Sequence, residues 1–151
     1  MLKFHTLCKG FKKACDNGYL MIAKCLHKFI KLYKIRTTHN NNYTSERILE
    51  TYKWAFYLAC MNGHLHVAKW LLKVTSIIHL SEHDNDNIVS EHDNDNIVSE
   101  HDNDNMVFYK TCEQGHLHVA KWLLSIKPDI NVSAENELAF RWACKIGRAH
   151  V

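Results

Sequence analysis

Two histidine pairs, His64-Leu65-His66 and His116-Leu117-His118, stand in identical surroundings, because GHLHVAKWLL is written at 63–72 and again at 115–124. Imidazoles bind metals and move protons near neutral pH. On a helix, however, positions i and i+2 point about 200° apart. Helical metal pairs use i, i+4, as in H-E-x-x-H. The spacing predicts structural roles instead. His64 and His116 are expected at a turn, touching backbone or a neighbouring unit, and His66 and His118 on an exposed face.

Six cysteines are a second source of chemistry. Cys15, Cys60, Cys112 and Cys144 recur at one place in a repeated pattern, and Cys8 and Cys25 fit apolar helix faces. No C-x-x-C pair is present, which argues against a zinc ribbon. Equivalent positions in stacked helices lie roughly 8–10 Å apart, whereas a disulfide needs Cα atoms within about 7 Å. The expectation is buried, reduced and inert thiols. A third source is SEHDNDNIV, written in tandem at 81–89, 90–98 and 99–107 with Met106 in the last copy. Its carboxylates and His83, His92 and His101 offer metal ligands. The calcium-loop spacing fails at Ile88 and the turn glycine is missing. A solvated acidic loop is the plainer reading. G-x-S-x-G, a P-loop and G-x-G-x-x-G are absent from the sequence, so the expectation is a non-catalytic chain without cofactor or metal.

Charge is unevenly placed. The whole chain carries +3, with 19 Lys/Arg and 16 Asp/Glu. Residues 1–36 hold nine of those cations against one acid, Asp16, and residues 81–107 hold nine acids with no Lys or Arg. Apolar residues make up 46% of the chain, enough for a packed domain. The start, MLKFHTLCKGFKKAC, has no apolar h-region, and no stretch approaches the roughly 18 apolar residues of a span. Both favour an intracellular, cytoplasmic chain.

The elements that position these residues repeat. FKKACDNGYLMIAKCL (11–26), FYLACMNGHLHVAKWL (56–71), FYKTCEQGHLHVAKWL (108–123) and FRWACKIGRAHV (140–151) align on Gly18, Gly63, Gly115 and Gly147. The glycine spacings are 45, 52 and 32, and removing two tandem copies turns 52 into 34. Each unit reads as two helices, with the glycine supplying positive φ between them. Phe4, Leu7, Cys8, Phe11, Ala14 and Cys15 form one first-helix face; Phe56, Ala59 and Cys60 form another. A lengthened helix carries Ile48, Tyr52, Ala55, Phe56 and Ala59. The second helix presents Leu65, Ala68 and Leu72 on one stripe, with Val67 and Leu71 beside it. Neither helix is stable alone, so the units must stack. Units are expected at 3–34, 46–79, 106–131 and 133–151, with insertions at 35–45 and 80–105.

The unit resembles an ankyrin repeat. Gly115–Leu124 matches that family's G-H-L-E-V-V-K-L-L-L helix, and Pro128-Asp129-Ile130-Asn131 its G-A-D-V-N return. A-C-x-N-G-H-L-x-V-A-K-W-L-L is similar to the ankyrin-like proteins of giant DNA viruses of amoebae, which would imply host-cell cytoplasm. The resemblance implies an all-α helix-turn-helix solenoid of about four units, the last incomplete. It departs from the family at T-P-L-H, which is absent; Thr44, Ser45 and Ser133 are the expected substitute N-caps. Lys13 and Lys110 replace an apolar first-helix residue. The closing KIGRAHV (145–151) reads back into codons as a common DNA-sequencing adapter, so the native chain is expected to end near Cys144; a degenerate closing repeat is the alternative.

By the resemblance, function is protein–protein interaction. Partner contacts are expected from Tyr57, Met61 and Asn62 in one unit and Tyr109, Glu113 and Gln114 in another. A monomer is expected, with association only through an open C-terminal face around Phe140 and Ala143. The basic segment 1–36 offers an alternative, binding to nucleic acid or an anionic membrane surface. Lysines on the solvent side of a helix whose apolar face is buried rank ahead of it.

Overall fold

The computed structural model describes residues 3–37, 42–80, 100–128 and 130. Among these residues every regular element is a helix: α1 (Phe4–Asp16), α2 (Leu20–Thr37), α3 (Asn42–Met61), α4 (Leu65–Leu80), α5 (Glu100–Glu113) and α6 (Leu117–Ile126). The all-α expectation therefore holds. The chain divides into two compact units, Met1–Thr75 and Ser76–Val151.

Within the first unit, α1 packs on both α2 and α3. The face responsible is the expected one, with Leu7, Cys8, Phe11, Ala14 and Cys15 all buried. Phe4 lies at its edge, its ring stacked on Tyr33 of α2 at 4.6 Å. From α3 come Ile48, Tyr52, Ala55, Ala59 and Cys60, all buried. The Phe11 ring lies 4.8 Å from Tyr52 and 6.3 Å from Trp70 of α4. His27 of α2 closes the cluster, edge-on to Tyr52 and to Trp70. Four helices thus meet around one group of rings.

In the second unit α5 packs on α6. Val107, Phe108, Thr111, Val119, Ala120 and Leu123 are buried there. Thr111 stands where the first two copies have Ala14 and Ala59, and its hydroxyl donates to the Val107 carbonyl at 2.7 Å. That bond removes the penalty of a bare buried hydroxyl.

Several boundaries differ from the sequence reading. α3 begins at Asn42, so Thr44 and Ser45 lie inside the helix and do not cap it. α2 runs through Thr37, so helix occupies most of the expected 35–45 insertion. α5 begins at Glu100, inside the last nonapeptide copy that was expected to be loop. Extending an existing helix costs far less than nucleating one. The apolar stripe of the second helices also shifts: Val67, Ala68 and Leu71 are fully buried, while Leu72 is exposed. Ser133, Asn131, Phe140, Ala143, Cys144, Gly147 and the first two tandem copies lie outside the described residues.

Identical sequence does not give identical length. α4 and α6 both start LHVAKWLL, yet α4 continues to Leu80 and α6 stops at Ile126. Pro128 decides this: a proline disfavours helical backbone at the residue before it, and Lys127 has left the helix at φ −134°, ψ 83°.

Candidate functional site

The three described turns share one hydrogen-bond pattern. In the first, Gly18 N–H donates to Cys15 O at 3.2 Å and Tyr19 N–H to Ala14 O at 2.8 Å. Gly63 with His64, and Gly115 with His116, repeat both bonds on Cys60 and Ala59 and on Cys112 and Thr111. This is the Schellman closure, which requires a left-handed residue after the helix end. Gly18, Gly63 and Gly115 supply it at φ +74°, +77° and +81°.

The second turn then grips the first. His64 Nε2–H donates to Asp16 O at 3.0 Å, and His66 Nε2–H donates to Gly18 O at 3.1 Å. Asn62 Nδ2–H donates to Asp16 Oδ1 at 2.7 Å. The His64 ring lies so close to Gly18 that a Cβ there would come within 2.6 Å of Nδ1. The last four carbonyls of a helix have no partner within the helix. Here Lys13 O accepts from Asn17, Ala14 O from Tyr19, Cys15 O from Gly18, and Asp16 O from His64. His64 completes that set from another helix pair. The expectation that it contacts backbone is met, on Asp16 of the preceding copy and not on a following one, and exposed His66 also bonds. His116 and His118 keep the same mutual geometry, rings 6.2 Å apart, as His64 and His66 do. The first copy has Tyr19 and Met21 at these positions, and both are exposed.

Among the described residues the cysteines are free thiols. Burial pushes Cys15 and Cys60 up to about 12 and raises Cys8 and Cys112. Cys25 is the correction: it is exposed, not part of a buried apolar face. Among the described residues no three His, Cys, Asp or Glu side chains gather as a metal site.

Of the expected contact residues, Tyr57 and Met61 lie on α3 and Tyr109 and Glu113 on α5, while Asn62 and Gln114 stand in the turns that follow. Trp54, Tyr57 and Met61 follow a 3–4 spacing along α3, with Tyr57 and Met61 half-buried. Trp54 is 57% exposed, and its ring meets Tyr57 edge-on at 5.5 Å. In α5 the same positions hold Met106, exposed, and Tyr109 and Glu113, half-buried. Lys110 Nζ pairs with Glu113 Oε2 at 2.8 Å. Asn62 and Gln114 are exposed, although Asn62 already spends one N–H on Asp16.

No family model, curated protein or solved structure matches this chain.

The interaction reading therefore rests on the chain's own side chains. Sequence reasoning missed Trp54 and Met106, since large apolar residues in a helix read as core. Their signal was alignment: they fall two residues before the half-buried Phe56 and the buried Phe108, where the first copy has Lys9. It missed the His27–Tyr52 pair entirely. Tyr52 O–H donates to His27 Nδ1 across two helices, and no spacing rule links residues 25 apart.

Proposed function

We propose that this chain is a non-catalytic, ankyrin-type repeat scaffold that binds a protein partner through the outer faces of its first helices. One observation carries the reading. Three aligned positions have the same exposure in each copy while their residues vary: Lys9, Trp54 and Met106; Lys12 against Tyr57 and Tyr109; Asp16, Met61 and Glu113. Most inner positions keep their type, as Phe11, Phe56 and Phe108 or Cys15, Cys60 and Cys112 do, Thr111 being the exception opposite Ala14 and Ala59. A stack needs constant inner residues and leaves outer ones free to differ. Trp and Tyr are the side chains that most often anchor protein interfaces, so Trp54 and Tyr57 are assigned the central role.

Affinity capture with the full chain, followed by mass spectrometry, tests this. A partner should be retained by the chain and lost with Trp54→Ala/Tyr57→Ala at unchanged helix content. Retention of the same proteins by both would remove the assignment. A second reading has the basic N-terminal unit meeting nucleic acid or an anionic membrane, and the side chains exposed along α2 bear on it.

A further inference from the structure

The outward face of α2 is not the lysine-coated surface expected of a helix whose apolar side is buried. Ala23 and Ile30 are buried against the rest of the unit. Met21, Ile22, Phe29, Leu32 and Ile35 point the other way and are each more than half exposed, Met21 at 72%. Residues 21, 25, 28, 32 and 35 follow a helical 4–3–4–3 spacing, with 22, 29 and 36 beside them, so they form one face. Exposed Lys28 and Arg36 stand among them, with Lys31 at the edge toward His27. The segment Leu20–Thr37 holds five cations and no acid.

This face is open for a reason visible in the repeat. Ile22 aligns with Val67 and Val119, which are fully buried, yet Ile22 is 52% exposed. The surface that is covered on α4 and α6 is uncovered on α2. An exposed helix face is usually polar; this one turns out large apolar side chains between cations.

We propose that this face of α2 docks flat on an anionic phospholipid bilayer, the apolar side chains entering the interfacial region and the cations meeting headgroup phosphates. Three arguments select that occupant. A bilayer surface offers an apolar medium and negative charge to the same helix face. Nucleic acid supplies the phosphates but nothing to bury Met21, Leu32 and Ile35. A second copy would bring five cations against five. Lysine stems lie along apolar surface while their heads reach the phosphates. Among the described residues no helix is long and apolar enough to cross a membrane, so the mode is surface attachment. The proposal does not depend on the scaffold reading, which uses α3 and α5.

The test is cosedimentation of the full chain with phosphatidylcholine vesicles, with and without phosphatidylserine. A polarity-sensitive dye on exposed Cys25, in a Cys112→Ser/Cys144→Ser background, reports burial of the face. Binding to the anionic vesicles alone, weakening with salt, is expected. Lys28→Gln/Arg36→Gln should weaken it roughly twenty-five-fold, about fivefold per cation. Phe29→Ser/Leu32→Ser should weaken it on the order of tenfold with a lost dye shift. Helix content should stay unchanged in both, because all four positions are exposed. Trp54→Ala/Tyr57→Ala should bind vesicles normally. No binding to anionic vesicles overturns the proposal. So does binding that ignores Phe29→Ser/Leu32→Ser, equal capture by duplex DNA or polyglutamate, or self-association through the face.

Discussion

A methyl group added at Gly18 would strain a backbone held at φ +74° and strike the His64 ring, 2.6 Å from Nδ1. The left-handed conformation alone costs a residue with a Cβ about 1–2 kcal/mol. Displacing His64 also gives up its bond to Asp16 O, worth about 1 kcal/mol. Gly18→Ala should therefore lose roughly 2–3 kcal/mol in urea denaturation. His64→Ala should lose about 1–2 kcal/mol. The double variant should lose less than the sum, because one clash is removed with the ring. Strict additivity would mean that the ring does not rest on the glycine. His27 makes a different statement at the same scale. Burial, with Lys31 nearby, lowers its proton affinity in the folded chain. Its contribution is then complete above the ordinary histidine range near pH 6.5. It is lost as pH falls through the lowered value, because the unfolded chain takes up the proton first. Melting temperature should drop as pH falls from about 7 toward 5. His27→Gln, neutral throughout, should flatten that slope; equal slopes in both proteins would assign the effect elsewhere.

At the scale of the element, what the sequence revealed depended on how local the cause was. Positive φ after a helix end is a requirement of a single residue, so Gly18, Gly63 and Gly115 could be assigned from the letters alone. The α1 and α3 faces were legible because Leu7, Phe11, Tyr52 and Ala59 keep helical spacing. Helix ends were not, except at Pro128, since extension into polar sequence is cheap and tertiary surroundings decide it. The α4 stripe was misread at Leu72 because Ala68 fits either of two adjacent stripes. Nor did spacing reveal that Ile22, aligned with buried valines, faces outward: what covers a helix is a long-range fact. Gly10 gives the complementary prediction. It lies within α1, and a Cβ there would meet Leu26 Cδ1 at an ordinary 3.7 Å. Glycine inside a helix costs about 0.5–1 kcal/mol against alanine. Gly10→Ala should raise stability by about that amount, the opposite sign to Gly18→Ala. A loss of stability would show that the α1–α2 spacing has no room for a methyl.

Over the whole molecule, stability is the sum of the contacts made within each compact unit. Phe11 is where that sum is most concentrated in Met1–Thr75. It is fully buried and touches rings from α3 and α4 while belonging to α1. Removing it opens a cavity walled by Tyr52 and Trp70, rigid rings that collapse poorly into an empty space. Phe→Ala in such a core costs about 3–5 kcal/mol, a large share of the roughly 5–15 kcal/mol that holds a domain folded. The loss should follow the division of the chain into two compact units. In Phe11→Ala, amide hydrogen exchange should accelerate by several orders of magnitude across α1, α2 and α3. At α5 and α6 it should change far less, because they belong to the other compact unit. Equal loss of protection in all these helices would mean that the chain unfolds as one cooperative body. In that case outer-face substitutions on α3 and α5 could not be treated as independent, and their effects on partner capture would have to be corrected for a shared change in stability.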